Sequence, residues 1–364
     1  MKEKYLEKTV IETIQKYKLI QNGDKIILGV SGGPDSICML NILNNIRKNY
    51  SIDVVKTDTK ISQTNPEPMA KISQLNPESL ANFDIIVAHV NHLIREEAEE
   101  DEEYVKRFCE EKNIKFYTKS IDVKRLANNS KIGVEEAGRI VRYNFFEEVA
   151  KLEKANKIAI AHNKNDSVET MIMHLIRGSG TLGLRGIEPK RGNIIRPLID
   201  CERSEIEDYC ETLNLNPRID KTNADNTYTR NRIRNVVIPY LQKEFNSNIV
   251  ETIDRLSKLI REEEEYIEKN VILAYEQVLK KEEIQDKQII LDLKQFNKKE
   301  KVIKARLILY TITRLLGSSE GIEKIHIEDI IKLCEKNIGN KFLTPNKKIK
   351  VLVKNHQIYF MSQI

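Results

Sequence analysis

Residues 25–40 read KIILGVSGGPDSICML, and Ser31, Gly32, Gly33, Pro34, Asp35 and Ser36 bring hydroxyls, paired glycines and a carboxylate into one short stretch. Paired glycines allow backbone dihedrals closed to other residues and let the main chain approach a ligand closely. The apolar run from Ile26 to Val30 in front, and apolar residues at helical spacing behind, make this a strand, a tight loop and a helix. A helix start presents unsatisfied N–H groups and a partial positive charge, so phosphate is the ligand the stretch suits. It is not the Walker loop, whose final hydroxyl follows a lysine that is missing here.

Other residues carry charge at telling intervals. Asp166 and Glu169 stand three apart, which puts both carboxylates on one side of a helix's first turn, and Arg139 and Arg142 share a face for the same reason. Tyr228, Arg230, Arg232 and Arg234 lie in a run from Asp220 that reads as a loop entering a helix, suited to stack on and pair with a phosphorylated substrate or a nucleic-acid strand. Any one of these pairs alone would read as an exposed salt bridge or a cap.

The elements that position them decide otherwise. Strands are expected at 26–30, 84–90, 114–118 and 157–161, with helices at 37–50, 96–110 and 134–151 between them. In an open parallel sheet ligands bind outside the carboxyl ends of the strands. The loop at Ser31, the His89-Val90-Asn91-His92 stretch and the segment from His162 to Thr170 all fall at such ends. Ser204 is the expected N-cap of a further helix. From about Ile238 the composition turns to long Lys/Glu-rich amphipathic stretches, and 339–361 alternates like a small β-hairpin. The expected organisation is an α/β domain over 1–215 with a surface insertion at 51–83, a basic linker at 216–240, a helical domain at 241–330 and a β element at 331–364. The insertion holds a near-repeat, KISQTNPE and KISQLNPE, too few copies for a solenoid.

At 364 residues the chain suits two or three domains. With 32% charged residues and a net charge of only +5, bulk charge permits a nucleic-acid partner without specifying one. Cys38, Cys109, Cys201, Cys210 and Cys334 form no CxxC pair, which suits free thiols in a reducing cytosol and argues against a zinc or iron–sulfur site. The N-terminal segment puts Leu6, Val10, Ile14 and Tyr17 on one helical face, so it is neither signal peptide nor membrane span.

SGGPDS resembles the SGGxDS loop of the PP-loop ATP pyrophosphatases. The further stretches HVNH at 89–92 with Arg95, EEAGRIVRY at 135–143, AH…D…ET at 161–170, RGSGTLGLRGI at 177–187, RPL at 196–198 and TNADNTYTRNRIR ending at Arg234 resemble one branch of that group, the tRNA(Ile)-lysidine synthetases. The resemblance implies a Rossmann-like, adenine nucleotide alpha hydrolase-like fold followed by a helical tRNA-binding domain. It implies a cytoplasmic ligase whose partners are ATP, magnesium, L-lysine and the tRNA(Ile) with a CAU anticodon, forming lysidine through an adenylated tRNA; a homodimer is left open. Carried over residue by residue, Ser31 to Ser36 would hold ATP, Asp35 would also meet magnesium, and Asp166 and Glu169 would bind and help deprotonate lysine. Arg142 would act in catalysis, and Arg139, Arg230, Arg232 and Arg234 would meet phosphate or the tRNA. The alternatives are another PP-loop tRNA-modifying enzyme, such as a thiolase with cysteines near its loop, or a tRNA-binding homologue without catalysis. Two departures stand out: Leu93 occupies a place where the family usually has glycine, and His162-Asn163-Lys164-Asn165-Asp166 stands for the usual HHxDD.

Overall fold

The computed structural model describes residues 2–56, 82–93, 98–218, 226–283, 287–336 and 341–363. Both copies of the insertion's repeat, Arg95 and the start of the basic run at 220–225 lie outside the described residues. The chain divides into two compact units, Met1–Lys258 and Leu259–Ile364.

In the first unit, strands β1 (Lys25–Gly29), β2 (Asp84–Asn91), β3 (Lys115–Ser120), β4 (Lys157–Ile160), β5 (Lys190–Arg191) and β6 (Ile194–Ile195) form one sheet in the order β3-β2-β1-β4-β6-β5. All neighbours run parallel except β5 against β6. Strand alternation splits the apolar residues of β1 between two cores, because successive side chains point to opposite faces. Ile26 and Leu28 join Leu6, Val10, Ile14 and Ile37 on one face. Ile27 joins Ala88, Val141 and Phe146 on the other. Both faces are therefore covered, as a parallel sheet requires.

The covering helices are α1 (Lys2–Lys16), α2 (Pro34–Lys56), α3 (Ala98–Lys112), α4 (Val123–Ser130), α5 (Val134–Glu153), α6 (Lys164–Ile176) and α7 (Arg203–Thr212). Helix α2 starts three residues earlier and ends later than expected, because Pro34 at the first helical position needs no N–H partner. Helix α7 is capped by Glu202 rather than Ser204, and the Glu202 N–H donates to Glu205 Oε2 at 2.8 Å. Ser204 sits inside the first turn, where its hydroxyl has no capping role. Gly29 exists for close packing: a Cβ there would lie 2.6 Å from the Phe146 ring of α5.

The stretch expected to be a linker draws back into this unit. Helix α8 (Thr229–Arg232), a π-helical turn (Ile233–Val237) and α9 (Ile238–Glu244) bury Ile233 and Ile238 against Val168 and Ile172 of α6. Apolar side chains within and just after the arginine run are the physical reason, since a linker would leave them in water.

Helix α10 (Ile249–Val278) begins in the first unit and ends in the second. The second unit then adds β7 (Leu279–Glu283), β8 (Gln288–Asp292), α11 (Leu293–Asn297), α12 (Lys301–Leu316), α13 (Lys324–Lys336), β9 (Lys341–Asn346), β10 (Ile349–Lys354) and β11 (Gln357–Ser362). Its sheet is antiparallel in the order β7-β8-β11-β10-β9. The terminal β residues are thus no separate element. Phe360, Ile358 and Val351 share one core with Val271, Leu307, Ile308 and Ile330 of the helices.

Candidate functional site

Strand β1 delivers the chain to the loop, and Val30 N–H still donates to Ala88 O of β2 at 3.1 Å. His89 then steadies the exit. Its Nδ1 lies 2.8 Å from Val30 O, and burial lowers its pKa, so a neutral ring donating from Nδ1 is the form that fits. Gly32 turns with φ +90°, in the left-handed region that favours glycine. Ser36 Oγ donates to Gly33 O at 3.0 Å and accepts from Ser31 N–H at 3.1 Å, closing the loop on itself. Ser31 Oγ stands 3.3 Å from Ser36 Oγ. The result is a tight backbone turn at the first turn of α2, with Asp35 on that turn.

Asp35 does not sit as an ordinary carboxylate. Burial, reinforced by the nearby charge of Asp166, pushes its pKa up to about 6, against a hydrogen bond from Asn163 Nδ2 to Oδ1 at 2.9 Å. Asn163 is fully buried at the carboxyl end of β4. It caps α6 by accepting the Asp166 N–H at 3.0 Å, and its own N–H donates to Asp166 Oδ2 at 3.1 Å. One side chain therefore spans the gap between the loop of β1 and the start of α6.

One turn into α6, Asp166 and Glu169 share three guanidinium groups. Asp166 Oδ1 accepts from Arg230 at 2.8 Å, Arg234 at 3.1 Å and Arg203 at 3.3 Å. Glu169, with its side chain only 1% exposed, accepts from Arg234 Nε at 2.7 Å, Arg230 Nε at 2.9 Å and Arg203 at 3.3 Å. Burial works to raise the Asp166 pKa, but the charges of Arg230 and Arg203 and the hydrogen bond from the Asn163 N–H outweigh it and hold the carboxyl below its usual range. Burial likewise opposes the charges of Arg230 and Arg234, and the two carboxylates overcome it. Two carboxylates against three guanidiniums leave one excess positive charge beside the phosphate loop.

A second buried pair lies alongside. Arg196, 4% exposed, donates from Nε to His162 Nδ1 at 3.0 Å and from Nη1 to Glu188 O at 2.6 Å. Burial first, with Arg196, Arg230 and Arg142 adding to it against Asp166, drives the His162 pKa down to about 4.

Of the residues expected to act, Ser31 to Ser36, Asp166, Glu169, Arg230 and Arg234 meet at these strand ends. Arg142 is exposed on α5, within electrostatic reach of His162 and Arg230. Arg139 is exposed beside it, its guanidinium 5.5 Å above the Tyr143 ring. Arg232 is exposed too and pairs with neither carboxylate. Leu93, standing where glycine was expected, takes φ +51°, with its N–H held by Asn91 Oδ1 at 3.0 Å. Asn163, Arg203 and the His162–Arg196 pair were not expected as site residues. Nothing in the sequence signals the contact of Asn163 with Asp35, and Arg203 carries no motif of its own. Among the described residues no three His, Cys, Asp or Glu side chains stand together to hold a metal ion.

Comparison with known proteins identifies the family. The PP-loop domain family matches residues 4–241. The tRNA(Ile)-lysidine synthase of Clostridioides difficile (strain 630) is 41% identical over 356 residues, covering 97% of this chain and 70% of that protein. The tRNA(Ile)-lysidine synthase of Clostridium acetobutylicum is 43% identical over 340 residues, covering 93% of this chain and 66% of that protein. The chain thus spans about two thirds of the length of these relatives. Among solved structures, the U34-tRNA thiolase NcsA from Methanococcus maripaludis aligns over 70% of this chain and 78% of that chain, at 21% identity and a TM-score of 0.48. With a PP-loop at Ser31 to Ser36, an acidic pair on α6 caged by arginines and these relatives along nearly its whole length, the chain belongs to the tRNA(Ile)-lysidine synthase family.

Proposed function

We propose that the chain joins an amino group of L-lysine to C2 of the wobble cytidine in the tRNA(Ile) with a CAU anticodon, at the expense of ATP. The observation that carries this reading is the juxtaposition of two chemistries: the phosphate-loop carboxylate Asp35 and the acidic pair Asp166 and Glu169 are separated by the single side chain of Asn163. A phosphate site and an ammonium site in one cleft suit a ligase that activates with a nucleotide and then admits an amine.

In the first step the C2 oxygen of cytosine attacks the α-phosphorus of ATP and diphosphate leaves, turning a poor leaving group into AMP. The loop's backbone and the hydroxyl of Ser31 hold the phosphates, with Gly32, Gly33 and Pro34 shaping the turn and Ser36 closing it. The excess positive charge of the arginine cage and the exposed Arg142 offset charge that develops on the transferred group. Magnesium suits Asp35: an ion that keeps waters and substrate phosphates as ligands needs only one or two carboxylates. A cation there would also relieve the burial and the repulsion from Asp166 that raise the Asp35 pKa. Bound magnesium supplies charge neutralisation at the phosphates.

In the second step the lysine amine attacks C2 and AMP departs with the oxygen. An amine attacks only when neutral, so a carboxylate that first pairs with the ammonium and then takes its proton is required. Asp166 and Glu169 fill that role, the ammonium exchanging with a guanidinium contact. Arg139, Arg230, Arg232 and Arg234 meet the phosphates or the RNA strand, and the second unit supplies further RNA contact. The anticodon loop is already single-stranded, so presenting its base costs little unstacking. Among the described residues no helix is long and apolar enough to cross a membrane, and ATP, lysine and tRNA meet in the cytoplasm, where we place the enzyme.

The test is incorporation of radiolabelled lysine into an unmodified tRNA(Ile) transcript with a CAU anticodon, with and without ATP. Label that depends on ATP is the expected result. Bound tRNA without label would overturn the ligase reading in favour of an RNA-binding homologue or a different PP-loop reaction.

A further inference from the structure

Asn163 does more than a helix cap requires. Ser, Thr, Asp and Asn all cap well, because each offers one oxygen to the N–H of the first turn. Asn163 spends its Oδ1 on that duty, accepting the Asp166 N–H at 3.0 Å. Its Nδ2 is left over, and at 2.9 Å it donates to Asp35 Oδ1, a residue 128 positions away on another element. Its backbone N–H meanwhile donates to Asp166 Oδ2 at 3.1 Å. Asn163 is 0% exposed, and so stands between two like-charged carboxylates and gives a donor to each. Of the good caps, only asparagine carries both an acceptor for the helix and an N–H for Asp35. An aspartate would set a third negative charge into the gap, and a serine has no second arm to reach across it.

We propose that Asn163 is a positioning residue for the activation step: it fixes the rotamer of Asp35 toward the nucleotide and ties the phosphate loop to the carboxylates that receive the amine. The proposal rests on the reading of Ser31 to Ser36 as the ATP loop. It assigns to the asparagine two separable jobs, capping α6 and orienting Asp35, and substitutions can take these apart. Asn163→Ser keeps a capping oxygen and loses the donor to Asp35. Asn163→His keeps an N–H donor and is a poor cap.

The experiment measures ATP binding by titration calorimetry in magnesium, together with the melting temperature, for the full chain and both variants. An Asp35 carboxylate left free to turn away from the nucleotide forfeits a charge-assisted contact to it, worth about tenfold in binding. Asn163→Ser is expected to bind magnesium–ATP about tenfold more weakly, while its melting temperature, lowered by the lost buried hydrogen bond, stays above that of Asn163→His. Asn163→His is expected to hold ATP within about threefold of the parent while melting lower. Wild-type ATP affinity in Asn163→Ser would overturn the proposal, as would a parallel fall of affinity and melting temperature in both variants. Because calorimetry needs neither tRNA nor lysine, a parent protein that binds ATP yet labels no tRNA would count against the ligase reading alone.

Discussion

Glu169, its own side chain 1% exposed, is held by three guanidiniums whose side chains are 22–28% exposed, and that arrangement is stable only while both carboxylates are present. Removing one partner from a buried ion cluster strands the others, a loss of about 3–5 kcal/mol. Glu169→Gln is therefore expected to lower unfolding free energy by about that amount in urea titrations and to raise the KM for lysine at least tenfold. ATP affinity should hold or increase, because the excess positive charge beside the loop grows by one. An unchanged lysine KM would remove Glu169 from the amine site. His162 adds a pH dependence of definite sign. Its pKa falls from 6.5 to about 4 on folding, so the fold prefers the neutral ring, and protonating Nδ1 would displace the Arg196 donor. The contribution is complete above pH 6.5 and is lost as pH falls toward 4, amounting to about 2 kcal/mol at pH 5. His162→Gln should thus be less sensitive than the parent to a shift from pH 7.5 to pH 5.0, read as the change in unfolding free energy. Equal sensitivity would mean the ring is not held neutral.

At the scale of elements, what the sequence shows plainly is what repeats locally. The run from Ile26 to Val30, followed by two glycines, already reads as strand and turn, because strand period and glycine freedom are properties of neighbours in the chain. Asp166 and Glu169 are legible as a pair for the same reason. Their cage is legible only in part: Arg230 and Arg234 sit in a visible basic run, whereas Arg203 reaches Glu169 across 34 positions with no pattern to announce it. Asn163 and Asp35 meet only because β1 and β4 are hydrogen-bonded neighbours, and no local signal encodes that. Strand β7 was missed because Leu279–Glu283, LKKEE, is an edge strand of mostly charged residues with little apolar alternation. The linker expectation failed where a basic composition masked Ile233 and Ile238. Packing between elements is where substitution is most costly. Gly29→Ala would drive a methyl into the Phe146 ring, and overpacking of this kind costs about 1–3 kcal/mol. Adding Phe146→Leu should recover part of that loss, and additive destabilisation of the two changes would show that Gly29 and Phe146 are not in close contact.

For the whole molecule, the decisive fact is that the buried apolar residues fall into separate cores. Those around β1 belong to the first unit and those around Phe360 to the second. Units with their own cores are expected to unfold as cooperative entities of their own. The phosphate loop, Asn163 and the arginine cage all lie in the first unit, so the nucleotide chemistry needs only that core intact. With a net charge of +5 over 364 residues, the chain has no large basic surplus, so the RNA affinity proposed above would rest on placed arginines and on contacts of the second unit. Phe360→Ala separates these contributions. Deleting a fully buried phenylalanine side chain costs about 3–5 kcal/mol, and the loss falls on the second core. Scanning calorimetry should resolve a transition displaced to lower temperature beside one left in place. Above the first transition and below the second, ATP should still bind while affinity for the tRNA transcript falls. If instead a single transition moves as a whole and takes ATP binding with it, the two cores unfold together, and the nucleotide site depends on the second unit.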